Sequence, residues 1–281
     1  MRWTPYAFPA APTDDSHQTH TTQQRLLVTL DGRTYRLFRA LPRREALSSG
    51  YPVLYLLDGN AAFEGLTPAL LRKVPELLVV GVGYDTDQGF AVADRWLDYT
   101  PPLGADGPVP DPQRPERMAG GADRFLSRLI GPVREAAEQG VAVDSSRRDL
   151  WGHSFGGLFV LYTLFMAPEA FRGFCPVSPS LWWGGDIMER LEAMAAAPPT
   201  PPAHVLIMMG DREVRSGQPP PETPGPAPAT LAMIDRLRVR QDLCVTARVL
   251  EGMGHRAALF ASLPHALRAF SDCSDGGHAA S

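Results

Sequence analysis

Residues 147–167 read RRDLWGHSFGGLFVLYTLFMA, and this stretch decides the fold. RRDLWG (147–152) has the make-up of a short strand, while LFVLYTLFMA (158–167) is apolar throughout, as a helix buried on every side requires. Between them stands Gly152-His153-Ser154-Phe155-Gly156-Gly157. A G-x-S-x-G run is a modest signal by itself in a glycine-rich chain. A strand directly before it and a helix directly after it supply the context of a nucleophile elbow. The turn forces the serine into a strained conformation, and its neighbours two positions away on either side must be small for the chain to pass.

Outward from the elbow, RLLVTL (25–30), Asp31-Gly32 and TYRLFRAL (34–41) predict a β-hairpin with a two-residue turn. PVLYLL (52–57) and ELLVVGVG (76–83) are continuous apolar runs, the pattern of strands buried on both faces, with a helix expected over 61–73 between them. Residues 84–121 carry many Pro and Gly without periodicity and read as one long loop, a kind that is usually functional or mobile. Further strands are expected at 171–178, 203–209 and 244–250, and helices at 122–139, 186–197, 230–241 and 256–271. SGQPPPETPGPAPA (216–229) is low-complexity loop. The alternation predicts the α/β class: a mostly parallel central sheet with helices on both faces and an N-terminal antiparallel hairpin at one edge. A single domain is expected over 25–272. A loosely ordered arm (1–24), with His17 and His20 solvated, precedes it, and a flexible tail (273–281) follows.

The composition excludes several chemistries. Of 27 basic residues only Lys73 is lysine and the other 26 are arginine. Lys73 has no glycine loop before it, which removes Walker-type nucleotide hydrolysis and makes a Schiff-base mechanism unsupported. A net charge of −4 with no face-sized basic stripe argues against nucleic-acid binding. Cys175, Cys244 and Cys273 are odd in number and lack metal-ligand spacing, so neither a disulfide framework nor a zinc site is expected. No apolar run is long enough to span a bilayer. The first twenty residues lack the apolar segment of a signal peptide, so a cytoplasmic setting is expected, with a periplasmic one if a signal is missing.

A serine hydroxyl is a weak nucleophile until a base takes its proton. His255, in RVLEGMGHRAALF between the strand 244–250 and the terminal helix, is the expected base, with Gly252 and Gly254 letting its loop turn towards Ser154. The acid that orients the imidazole should follow strand 203–209, where Gly210-Asp211-Arg212-Glu213 offers two carboxylates. Glu213 is preferred for its reach, Asp211 is the alternative, and a Ser–His dyad without an acid stays open. The oxyanion hole needs two N–H groups. One is that of Phe155, after the nucleophile, and the other comes from the loop after strand 52–57, where Gly59 lets the backbone approach the substrate and Asn60 or Ala61 would donate.

From about residue 50 to 270 the chain resembles the esterase family of the α/β-hydrolase superfamily, most closely the siderophore esterases that hydrolyse trilactones such as enterobactin and its glucosylated relatives, the salmochelins. The resemblance lies in YPVLYLLDGNAAF, VGVGYDTDQGFAVADRWLDYTPP, GGADRFLSRL, GHSFGGLFVLY, SPSLWWG and GMGH, in that order. It implies the α/β-hydrolase fold and an acyl-enzyme mechanism without metal or cofactor. It also implies a small-molecule ester partner, the ferric or apo form of a catecholate siderophore. Arg95 matches a basic position that contacts the anionic ligand, with an ion pair to Asp94 or Asp98 as the alternative. Tyr84, Trp96, Trp182 and Trp183 are candidates for an aromatic pocket, or else for core. The Trp182–Trp183 pair and the proline-rich 216–229 depart from the trilactone esterases. A generic carboxylesterase, thioesterase or acyltransferase therefore stands as the alternative, and a non-catalytic siderophore carrier as a more distant one.

Overall fold

Alternate residues of YPVLYLL point to opposite sides of the chain, and both sides are apolar. Val53, Tyr55 and Leu57 pack into one core cluster, Leu54 and Leu56 into the other. Such a strand has to lie inside a sheet covered on both faces. The computed structural model describes residues 2–8, 18–195, 201–214 and 225–271. Its strands are β1 (Thr4–Pro5), β2 (His20–Val28), β3 (Thr34–Pro42), β4 (Tyr51–Leu57), β5 (Leu78–Tyr84), β6 (Val109–Pro110), β7 (Met118–Ala119), β8 (Val143–His153), β9 (Gly173–Val177), β10 (Ala203–Gly210) and β11 (Leu243–Leu250). Nine of them form one sheet in the order β1-β2-β3-β5-β4-β8-β9-β10-β11, and β6 and β7 form a separate two-stranded sheet. From β5 to β11 neighbours run parallel, whereas β1, β2 and β3 are antiparallel additions at one edge.

The helices are α1 (Gly59–Gly65), α2 (Pro68–Leu71), α3 (Val92–Tyr99), α4 (Ala122–Arg128), α5 (Arg134–Glu138), α6 (Phe155–Met166), α7 (Ile187–Met194), α8 (Pro228–Arg238) and α9 (His255–Ser271). On one face α3 to α8 surround Tyr55, Phe125, Phe159 and Phe174. On the other, α1 and α9 bury Phe63, Leu259, Leu263 and Phe270 against Trp151 and Leu56. Each such side chain, fully buried, contributes about 1.5–3 kcal/mol. Among the described residues no helix is long and apolar enough to cross a membrane.

Several expectations shift in detail. The arm does not extend to residue 24: β2 begins at His20, pairs with β3 along its whole length, and holds Thr4–Pro5 through Gln23 and Gln24. His20 is buried, not solvated. Burial lowers its pKa to about 4, partly opposed by the bond of Nε2 to the Leu77 carbonyl at 3.0 Å. The 61–73 helix is two short ones, because Leu66 is extended and Thr67 caps a fresh start at Pro68. The helix over 122–139 is broken at Gly131-Pro132, where the proline has no N–H to continue the ladder. The long loop contains α3 and the β6–β7 pair. His17, the tail 273–281 and most of 216–229 lie outside the described residues.

Candidate active site

Strands β4, β8, β9, β10 and β11 release their chains at the same edge of the sheet, where open α/β sheets place their ligands. Asp58, Ser154 and Ser178 follow β4, β8 and β9, and they are the only described residues other than glycine with positive φ (50°, 60° and 45°). Backbone strain of this kind persists only where the surroundings enforce it. At Ser154 the enforcement is visible. Its N–H donates to the Val177 carbonyl at 2.9 Å, while its own carbonyl accepts from Leu158 N at 2.9 Å and Ser180 N at 3.1 Å. A Cβ on Gly152 would stand 2.4 Å from the Gly156 carbonyl oxygen, and one on Gly157 2.8 Å from that of Val177. The tight approaches are thus at 152 and 157, whereas Gly156 would meet only ordinary contacts.

Across 101 residues of sequence, His255 Nε2 reaches Ser154 Oγ at 3.0 Å. His255 opens α9, and its ring is half-buried. Its Nδ1 lies 2.9 Å from Glu213 Oε2, on the loop leaving β10. The other oxygen of Glu213 accepts from Gly210 N at 2.6 Å and from the Ser178 hydroxyl. Burial would raise the Glu213 pKa, but the bonds from His255, Ser178 and Gly210 outweigh it and hold the carboxyl below its ordinary range. An ionised, fully bonded carboxylate fixes Nδ1 as the protonated nitrogen and leaves Nε2 to accept.

Asp211 is not part of this arrangement. Its Oδ1 accepts from Gly252 N at 2.7 Å and so holds the loop that leads to His255, which corrects the alternative acid. His153, next to the serine, donates from Nε2 to the His255 carbonyl at 2.8 Å. Burial, with the charges of His255 and Arg95, pushes its pKa well down and keeps the ring neutral. Ser180 Oγ stands 3.2 Å from Ser154 Oγ.

Phe155 begins α6, and Gly59 to Ala61 begin α1, so each has a backbone N–H without a helical carbonyl to bond. The side chain of Asn60 is committed elsewhere: Nδ2 donates to the Tyr84 and Thr86 carbonyls, and Oδ1 accepts from Tyr84 N. Behind this loop the Arg95 guanidinium is held two-pronged by Asp58, with Nε–Oδ1 and Nη2–Oδ2 both at 2.8 Å, and Nη2 also donates to the His153 carbonyl at 3.4 Å. Asp58 is 2% and Arg95 8% exposed, so each is the other's counter-charge. This overturns the reading of Arg95 as a free anion contact, and neither Asp94 nor Asp98 is its partner. The reason is electrostatic: both side chains are buried at 2.8 Å from each other, where each supplies the counter-charge the other would lack.

The aromatic candidates separate. Tyr84 is core and bonds Asp98 through its hydroxyl at 3.3 Å. Trp183 is 1% exposed, and its indole N–H donates to Asp111, as does that of Trp96 at 2.9 Å. Trp96 packs on Phe155 with ring centroids 4.5 Å apart. Only Trp182 remains half-buried, edge-on to Phe155 at 5.7 Å and so beside the residue that follows Ser154. Asp111, Ser178 and Ser180 carry no role in the sequence patterns above, and neither does the pairing of Asp58 with Arg95. Ser178 and Ser180 could have been found, since SPS ends a strand at the same edge. Asp111 carries no local signal, because its role is set by two tryptophans from other segments. Among the described residues no group of three or more His, Cys, Asp or Glu is arranged to hold a metal ion.

The family described as Putative esterase matches residues 29–223. The chain belongs to this esterase family. It is 30% identical over 263 residues to the ferri-bacillibactin esterase BesA of Bacillus subtilis strain 168, covering 88% of both chains. It is 38% identical over 188 residues to the apo-salmochelin esterase of Escherichia coli O6:H1, covering 65% of this chain but only 58% of that protein's length. Among solved structures, the enterobactin and salmochelin hydrolase IroE superposes with a TM-score of 0.73 at 30% identity, over 90% of this esterase and 96% of that chain. An S-formylglutathione hydrolase from Agrobacterium tumefaciens, 17% identical with a TM-score of 0.60, shares the fold. The esterase is an α/β-hydrolase.

Proposed function

We propose that this esterase opens the ester bonds of a siderophore through an acyl-enzyme, and that the bonds are those of a catecholate trilactone. The observation that carries the chemistry is the continuous relay Glu213–His255–Ser154, with 2.9 Å and 3.0 Å links. Ser154 Oγ attacks the ester carbonyl while His255 Nε2 takes its proton, and Glu213 stays ionised to hold the imidazolium that forms. The carbonyl oxygen, now negative, sits against the N–H of Phe155 and an N–H from the start of α1. Collapse breaks the ester C–O bond, and His255 returns the proton to the departing alkoxide. Water repeats the sequence on the acyl-serine.

The substrate half of the proposal rests on the relatives named for bacillibactin and salmochelin, and on the half-buried Trp182 beside Phe155, an aromatic wall at the nucleophile. The test is turnover of a catecholate trilactone, a short p-nitrophenyl ester and a thioester, each with the Ser154→Ala variant as control. The expected result is linear cleavage products from the trilactone by mass spectrometry at the highest kcat/KM of the three, with the variant slower by about 10³-fold or more. An intact trilactone beside good turnover of the simple ester would make the protein a generic carboxylesterase. Retained activity in the variant would remove Ser154 as the nucleophile.

A further inference from the structure

We propose that Ser180 is a further catalytic residue, whose hydroxyl donates to Ser154 Oγ and stabilises the charge on that oxygen whenever its proton has left. The inference rests on Ser154 being the nucleophile. Its basis is a count of protons. Glu213 Oε2 faces His255 Nδ1 at 2.9 Å, and a carboxylate can only accept, so Nδ1 carries the hydrogen. In the neutral ring Nε2 is then the acceptor, and the 3.0 Å contact to Ser154 Oγ takes the one hydrogen that Ser154 possesses. The 3.2 Å contact between the two hydroxyls therefore runs from Ser180 to Ser154. Apo hydrogen bonds of this length often tighten as charge develops.

The surroundings hold Ser180 to this task. It is 2% exposed, so its hydroxyl has little water to turn to, and its N–H donates to the Ser154 carbonyl at 3.1 Å, tying the two residues to each other. The Ser178–Ser180 segment leaves β9 through the strained Ser178, whose hydroxyl is on Glu213 and whose N–H donates to Met208 O at 2.8 Å. One short loop thus touches both ends of the relay, the acid through Ser178 and the nucleophile through Ser180.

The chemistry differs from that of an oxyanion hole. As Oγ bonds the carbonyl carbon, the carbonyl π pair moves to its oxygen and the Ser154 proton moves to His255 Nε2. Ser180 keeps its own proton throughout. In deacylation the tetrahedral adduct of water expels Oγ as an alkoxide that reclaims the proton from His255. Ser180 faces this leaving oxygen, which the oxyanion donors do not touch. It accordingly lowers the barrier of both half-reactions and has little bearing on substrate affinity.

The experiment compares wild type, Ser180→Ala and Ser154→Ala on p-nitrophenyl acetate, with acylation read in single turnover and deacylation in steady state. Active sites are counted by organophosphate titration so that misfolded protein drops out. For Ser180→Ala both rate constants per titrated site are expected to fall roughly 10–100-fold, the worth of a hydrogen bond to a charged oxygen, with KM little changed. Rate constants within twofold of wild type overturn the proposal, and so does a loss confined to the number of titratable sites. If Ser154→Ala is silent while Ser180→Ala is normal, only the role of Ser180 falls. If Ser154→Ala still turns over, the nucleophile itself is wrong.

Discussion

Glu213 and Asp211 differ by two positions and by everything that matters to an imidazole. Gly210 ends β10 against the 253 loop, where a Cβ would come within 2.1 Å of Met253 O, and the chain turns so that Asp211 faces Gly252 and Glu213 faces His255. Reach along the sequence favours neither carboxylate decisively; the turn decides. Glu213→Gln should keep the fold but lower kcat by about 10³-fold or more, since an amide can stabilise the wrong tautomer and no imidazolium. Asp211→Ala should cost no more than about tenfold, the net worth of one hydrogen bond. Steady-state kinetics on both variants checks this, and equal losses would contradict it. The contact between Ser154 and His255 was legible from the order elbow, last strand, histidine. Arg95 was misread because its partner, Asp58, lies 37 positions away and no local pattern links them.

At the scale of elements, strands announced themselves where both faces were apolar, as in β4 and β5. The helix α3 did not, because its Trp96 and Tyr99 lie on one face of only eight residues set among prolines and glycines. β8, expected as a strand over 147–152, buries a carboxyl within it. Asp149 is paired in register with Leu54 on one side and Gly173 on the other, and it is 5% exposed. Burial raises its pKa to about 7, against partial relief from Arg147, Arg172 and the Gly173 N–H. The sign follows from linkage. Between the ordinary value of 3.8 and about 7 the unfolded chain is ionised while the folded one holds its proton, so stability falls as pH rises through this window and levels off above it. The shift corresponds to about 4 kcal/mol at most. In urea unfolding between pH 5 and 8, wild type should lose stability relative to Asp149→Asn as pH rises. A difference that does not change with pH would contradict the assignment.

For the whole molecule, the alternation of strand and helix was enough to foresee the parallel sheet, and the sheet brings Ser154 after β8, Glu213 after β10 and His255 after β11 to one edge. The arginine excess acquires a structural use in the same frame: Arg95 with Asp58 and Arg148 with Glu138 are two-pronged pairs for which a lysine has no fork. What stayed illegible was the set of contacts between distant segments, above all Asp111 holding Trp96 and Trp183 together, with Trp96 packed on Phe155. The central claim is that Ser154 is acylated because His255 activates it. Labelling with a fluorophosphonate, followed by tandem mass spectrometry of the tryptic peptide 149–172, tests it most directly. The expected result is one adduct per chain, on Ser154, lost in His255→Ala. An adduct on another residue, or undiminished labelling in His255→Ala, would contradict the account.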